Sequence, residues 1–173
     1  MALKARVYLE IVPVTKEERD REWYQEIDYY VQLPYMTKNE RAQAQNLMER
    51  GEDEDSAIYH ARQWYRLDDE AEVIEMSDEE FYNFQQELHE LGHDQEAFEE
   101  IIQVNTDYPI LLTPDMCKKL YGDFLTHLTE AEEAEEDIVR MREAVGQEGP
   151  SYFLELYTTW MRACRQEAYI YIR

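Results

Sequence analysis

His89-Glu90-Leu91-Gly92-His93 is the stretch of this chain whose residue types and spacing can do chemistry. Two imidazoles four residues apart on a helix lie one turn apart on the same face. At that separation both can ligate one zinc ion, and a glutamate between them can act as general base toward metal-bound water. On this reading His89 and His93 are metal ligands, zinc is the cofactor and Glu90 is catalytic. His60 and His127 stand alone and read as packed or surface imidazoles. The five glycines are scattered, so no phosphate-cradling loop forms. No Ser, His and Asp arrangement stands out, and the acid runs lack the spacing of a calcium loop.

The pentad resembles the zinc-binding helix of the zincin metallopeptidases, and the resemblance implies a zinc-dependent peptidase. It covers only these residues. Zincins surround the pentad with uncharged side chains, whereas Glu87 precedes it here and Asp94 follows. Gly92 weakens a helix where the second ligand must be held. Position 99, where the extended pattern has a third His, is Glu. Glu96, Glu99, Glu100, Glu130 or Glu132 could donate a carboxylate, but in so acidic a chain that discriminates nothing. The apolar stripe Phe81, Phe84, Leu88 and Leu91 accounts for the helix without a metal. The expectation is therefore a non-catalytic protein without a cofactor, with the peptidase as the alternative.

Charge is the broader signal. The chain of 173 residues carries 40 acids against 17 Lys and Arg, a net charge of −23. Residues 51–100 hold 18 of those acids, opposed only by Arg62 and Arg66. Residues 1–50 and 151–173 are close to neutral. An anionic middle, about 52–148, attracts cationic surfaces and repels nucleic acid and anionic lipid. An aromatic content of 13% separates this chain from acidic disordered ones and supplies a core for a single domain spanning 1–173. Cys117 and Cys164 are too few for a disulfide framework and read as buried thiols. The first residues lack the apolar stretch of a signal peptide, and no run reaches the roughly 18 apolar residues of a spanning helix. A cytoplasmic protein without membrane association is expected.

The elements that must position these groups follow from pattern. Val7, Leu9 and Ile11 alternate in a strand over 5–12 that Pro13 ends. Thr15 with Glu18 opens a helix to about Leu33, and Thr37 with Glu40 opens another over 38–50 that Gly51 stops. A helix over 56–67 turns Ile58, Ala61, Trp64 and Tyr65 inward, and 72–76 is a short strand. Ser77 with Glu80 opens the helix that carries the pentad. A turn and helix cover 95–104, and 108–112 is an apolar strand or connector. Thr113-Pro114 starts a helix with Met116, Leu120, Phe124 and Leu128 inward. Thr129 with Glu132 opens the next, whose inner stripe is Ala131, Ala134, Ile138, Met141 and Val145. A last helix over 151–167 precedes a terminal strand. The fold class is a mainly α-helical α+β domain with a small sheet pairing the N- and C-terminal strands.

The outer face of the helix from Glu130 carries Glu132, Glu133, Glu135, Glu136 and Asp137. Carboxylates four residues apart rise about 6 Å along the axis, on the scale of the phosphate repeat of a DNA strand. Asp68, Asp69, Glu70, Glu72, Asp78, Glu79, Glu80, Glu96, Glu99 and Glu100 add further rows, with Trp64, Tyr65 and Tyr82 as aromatic anchors nearby. Such density costs stability by self-repulsion. In size, charge and tyrosine content the chain is similar to the DNA-mimic proteins that phages and plasmids use against host restriction or CRISPR systems. The expected partner is a basic, nucleic-acid-binding protein or nuclease, with the chain as inhibitor or as immunity protein. A surface serving only solubility or salt tolerance is the other alternative.

Overall fold

The computed structural model describes residues 2–22, 30–92, 96–147 and 152–173. The chain divides into two compact units, Met1–Leu9 with Glu70–Arg173, and Glu10–Asp69. The fold is α+β and mainly helical, with one antiparallel arrangement of terminal strands as expected from the sequence. Strand β1 (Ala2–Val14) and strand β3 (Trp64–Ser77) run through both units, and with β2 (Tyr30–Val31), β4 (Ile110–Leu112) and β5 (Tyr169–Ile172) the strand order is β2-β3-β1-β5-β4.

In the larger unit β5 (Tyr169–Ile172) pairs antiparallel with β1, Ala5 opposite Ile172 and Tyr8 opposite Tyr169. Its other edge pairs with β4 (Ile110–Leu112), Leu111 opposite Tyr171. The segment expected as strand or connector is thus a strand. Leu3, Ala5 and Val7 are buried as alternation requires, but Tyr8 is buried too and Leu9 is exposed. Pro13 does not end β1. The strand continues where β5 has stopped, the edge setting in which a proline's missing N–H is tolerated.

Helix α4 (Asp78–Leu91) opens with the expected capping box, Ser77 and Glu80 exchanging backbone bonds of 3.1 and 2.9 Å. Its stripe Phe81, Phe84 and Leu88 is buried against α8 (Phe153–Arg165), where Phe84 stacks on Trp160 at 6.5 Å. Gln85 is the polar member of that face. Its amide donates to the carbonyls of Ile101 and Val104, both at 2.9 Å, and so closes the end of the one-turn helix α5 (Glu99–Ile102). Helix α6 (Pro114–Thr126) starts at Thr113 with Pro at its first position. Tyr157 of α8 reaches across the core and donates to the Phe124 carbonyl at 2.6 Å. Burial, then the charges of Glu130 and Asp123, push the Tyr157 phenol well above its ordinary range. Cys117 and Cys164 are both buried and free, and their mutual contact and burial push the Cys164 thiol far up.

Helix α7 (Leu128–Ala144) departs from expectation at both ends. Thr129 and Glu132 form no capping box, because the helix has already begun at Leu128, two residues earlier, behind His127. His127 is buried against Phe98, and its Nδ1 lies 2.6 Å from Glu130. Only Ala131 of the inner stripe is fully buried, while Met141 and Val145 are each 71% exposed.

In the smaller unit, α1 spans Lys16–Glu22 and does not run to Leu33. Trp23 and Ile27 lie outside the described residues, and Tyr30–Val31 form strand β2 against Arg66 and Tyr65 of β3. Helix α2 (Lys38–Glu49) has both bonds of its Thr37–Glu40 capping box, and Gly51 follows at φ +98°. Helix α3 (Glu54–Ala61) starts earlier than expected, on an Asp53 cap, and ends at Ala61. Trp64 and Tyr65 are therefore half-buried on β3 and not inward on a helix. Arg19 stacks 4.1 Å over the Trp64 ring, and the Gln63 amide donates to Val14 and Trp64 carbonyls. These contacts favour an extended backbone there over helix propensity.

Candidate functional site

The acidic residues singled out by the sequence fall into two groups once placed in the fold. Some are occupied structurally. Glu72 accepts from Arg162 at 2.6 Å, Glu80 caps α4, and Glu135 accepts from the Leu154 backbone N–H at 3.2 Å. Glu130 holds His127. Glu100 and Asp123 both meet Lys119, at 3.0 and 3.1 Å, and Lys119 also donates to the Glu96 carbonyl at 2.7 Å. The row at 96–100 is thus partly neutralised from α6, which the sequence reading did not foresee.

The remaining group faces solvent. Glu132, Glu133, Glu136 and Asp137 are all exposed on α7. Arg140 is their local countercharge, 3.8 Å from Glu136 and 3.6 Å from Asp137, with every partner more than 70% exposed. Pairs so open to water contribute little. Among the described residues no ion pair reaches Glu132 or Glu133. Asp78, Glu79, Glu96 and Glu99 are exposed as well. Asp68, Asp69 and Glu70 are exposed where β3 passes from one unit to the other, with Asp69 in the left-handed region at φ 56°. Of the aromatic candidates, Tyr82 is 60% exposed, whereas Trp64 and Tyr65 are half-buried.

His89 and Glu90 are both exposed on the last turn of α4. That helix ends at Leu91. Gly92 is its C-cap, its N–H donating to the Leu88 carbonyl at 3.0 Å. His93 and Asp94 lie outside the described residues. Among the described residues no group of three or more His, Cys, Asp and Glu side chains is placed to hold a metal ion. Nor is any helix there long and apolar enough to cross a membrane.

Gly92 has a packing reason to be glycine. A Cβ at this position would sit 3.0 Å from the Ala97 Cβ and 3.2 Å from the Ala97 carbonyl oxygen. Gly92→Ala is expected to lower stability by about 1–2 kcal/mol, as overpacking against backbone does. Urea denaturation of the two proteins measures it.

Three further acids also matter. Glu87 is half-buried on α4, and burial followed by the charge of Glu90 raises its carboxyl above the ordinary value. Glu75 and Glu155 lie on the same side of the unit, facing one groove with Glu80. The spacing of Glu80, Phe84 and Glu87 on one helix face was the available signal. No family model, no curated protein and no solved structure matches this chain.

Proposed function

We propose that this chain is a non-catalytic acidic interaction protein that binds a basic protein surface, of the kind that otherwise holds nucleic acid. One observation carries the reading: α7 is anchored on its inner face by Ala131 and presents Glu132, Glu133, Glu136 and Asp137 outward with one exposed arginine to oppose them. A rigid helix is a better presenter of charge than a loop, because its side chains keep a fixed spacing. Rows of carboxylates about 6 Å apart offer a cationic groove the polyanion it is built for. Inhibitor of a nucleic-acid-binding protein and immunity protein for a nuclease are two uses of the same surface. A cytoplasmic site of action fits both.

The reading is tested by competition. A basic nucleic-acid-binding partner held by the immobilised chain should be released by duplex DNA and by raised salt, since screening shortens from about 10 Å at 0.1 M to about 3 Å at 1 M. Binding that is indifferent to both would refute it. His89→Ala and Glu90→Gln should leave binding unchanged, whereas a zinc peptidase would lose its activity with either.

A further inference from the structure

Within the larger unit, α4, α7 and α8 enclose a groove. Its apolar part is a cavity of about 270 Å³ floored by Phe84, Ile138, Phe153 and Leu156. Glu80 and Glu87 stand at its rim with Tyr152. A second part, of about 450 Å³, shares Glu80, Tyr152 and Leu156 and continues past Glu75 and Glu155. The cation in this second part, Arg162, is already spent on Glu72 at 2.6 Å. Lys4 lies 3.3 Å from Glu75, with both side chains well exposed. Among the described residues no Lys or Arg pairs with Glu80, Glu87 or Glu155.

The chemistry of an occupant follows from these walls. The rim carboxylates exclude an anion. The apolar cavity falls just below the roughly 300–1,000 Å³ of small-molecule sites, and it opens into a longer trough. That geometry takes one large side chain of a longer ligand better than a free metabolite. Glu80 and Glu87 are two helical turns apart, about 10 Å along α4, with Phe84 between them. Cations must therefore flank an apolar group, which is the pattern of a basic amphipathic segment. Glu87 gains most from such a visitor, because burial and Glu90 both disfavour its charge in the free protein.

We propose that this groove seats a basic amphipathic segment of the partner, an apolar side chain entering against Phe84, Phe153 and Leu156 while Lys or Arg side chains on either side meet Glu80 and Glu87. The proposal rests on the reading of a basic partner given above and adds where on the surface sequence-specific contact is made. It assigns α7 the role of long-range attraction and the groove the role of discrimination.

The test uses the full chain and two synthetic probes, an amphipathic Leu–Lys helical peptide and an oligolysine of equal charge. Binding is followed by calorimetry and by backbone amide shifts. The amphipathic peptide should bind at least about tenfold tighter, with shifts at Phe84, Glu87 and Leu156. Glu87→Lys and Tyr152→Ala should each weaken it about tenfold while oligolysine loses less. Tyr152 is 53% exposed, so its replacement leaves the core intact, and thermal melting verifies this for both variants. Equal affinity for the two probes, shifts confined to the outer face of α7, or spermidine binding as tightly as the peptide would each overturn the proposal. Reversing the α7 charges should weaken both probes alike and keep the preference. If the natural partner is lost on α7 reversal yet indifferent to the groove variants, the groove proposal falls and the acidic-interaction reading stands.

Discussion

Glu40→Gln should lower the stability of the smaller unit by about 2–3 kcal/mol, a large effect for a change of one oxygen to an amide. Glu40 is only 5% exposed. Its Oε1 accepts the Thr37 backbone N–H at 3.0 Å, closing the capping box of α2. Its Oε2 accepts the Gln63 backbone N–H at 2.9 Å and lies 3.4 Å from the Arg62 guanidinium. Arg62 in turn donates to the Leu33 carbonyl. One carboxylate thus ties the start of α2 to the start of β3. A glutamine keeps a single acceptor oxygen, so its NH₂ must face one of the two backbone donors. Glu40→Ala loses both acceptors and leaves Arg62 uncompensated, so it should cost more, about 3–5 kcal/mol. The effect should also depend on pH. Burial alone raises the Glu40 carboxyl, but the bonds from Thr37 and Gln63 and the charge of Arg62 outweigh it and hold the group below its ordinary value. A depressed carboxylate contributes stability above its unfolded value near 4.5 that is lost as pH falls through the folded one. In Glu40→Gln that part of the acid slope should vanish. Urea titrations at a series of acid pH values, with hydrogen exchange at Thr37 and Gln63, measure both effects. Parallel slopes in wild type and variant would show that Glu40 is not the group responsible.

Glu40 also marks where sequence reading reaches its limit. The capping box with Thr37 is a local signal, its two members three residues apart, and it is legible. The bond to Gln63 joins residues 23 apart, and nothing local announces it. The same division runs through the fold. Ser77 with Glu80, Thr113 with Pro114 and the terminal strand were set by short-range chemistry and stand where the sequence put them. Trp64 and Tyr65 were misplaced because a short apolar run fits helix and strand alike. The choice was made by Arg19 over Trp64 and by the pairing of Tyr65 with Val31. Thr129 and Glu132 have capping-box spacing, yet the helix starts two residues earlier, behind His127, which is buried against Phe98. For the candidate site, exposure of the α7 acids could be read from helical periodicity. The countercharge of Lys119 on Glu100 could not, nor could the meeting of Ile138 and Tyr152 with Phe84 and Glu87, since each joins distant segments.

Replacing Glu132, Glu133, Glu136 and Asp137 together by Lys should weaken partner binding by about a hundredfold at low salt. A single exposed pair is worth only a few-fold in affinity, so one reversal should be barely measurable. Four reversals each exchange an attraction for a repulsion, and their small effects compound. Much of the loss should appear in the association rate, because these charges act through the field that steers encounter. The difference between wild type and variant should shrink as salt rises and the field is screened. A matched variant with Gln at Glu132, Glu133 and Glu136 and Asn at Asp137 separates binding from stability. It removes the like-charge pairs Glu132–Glu136 and Glu133–Asp137, each four residues apart, so α7 should be at least as stable as before. Binding should nevertheless fall to a level between wild type and the Lys variant. A surface kept only for solubility makes the opposite demand. Under that reading the neutral variant would aggregate more readily while partner affinity stayed the same, and this outcome would remove α7 from the binding surface.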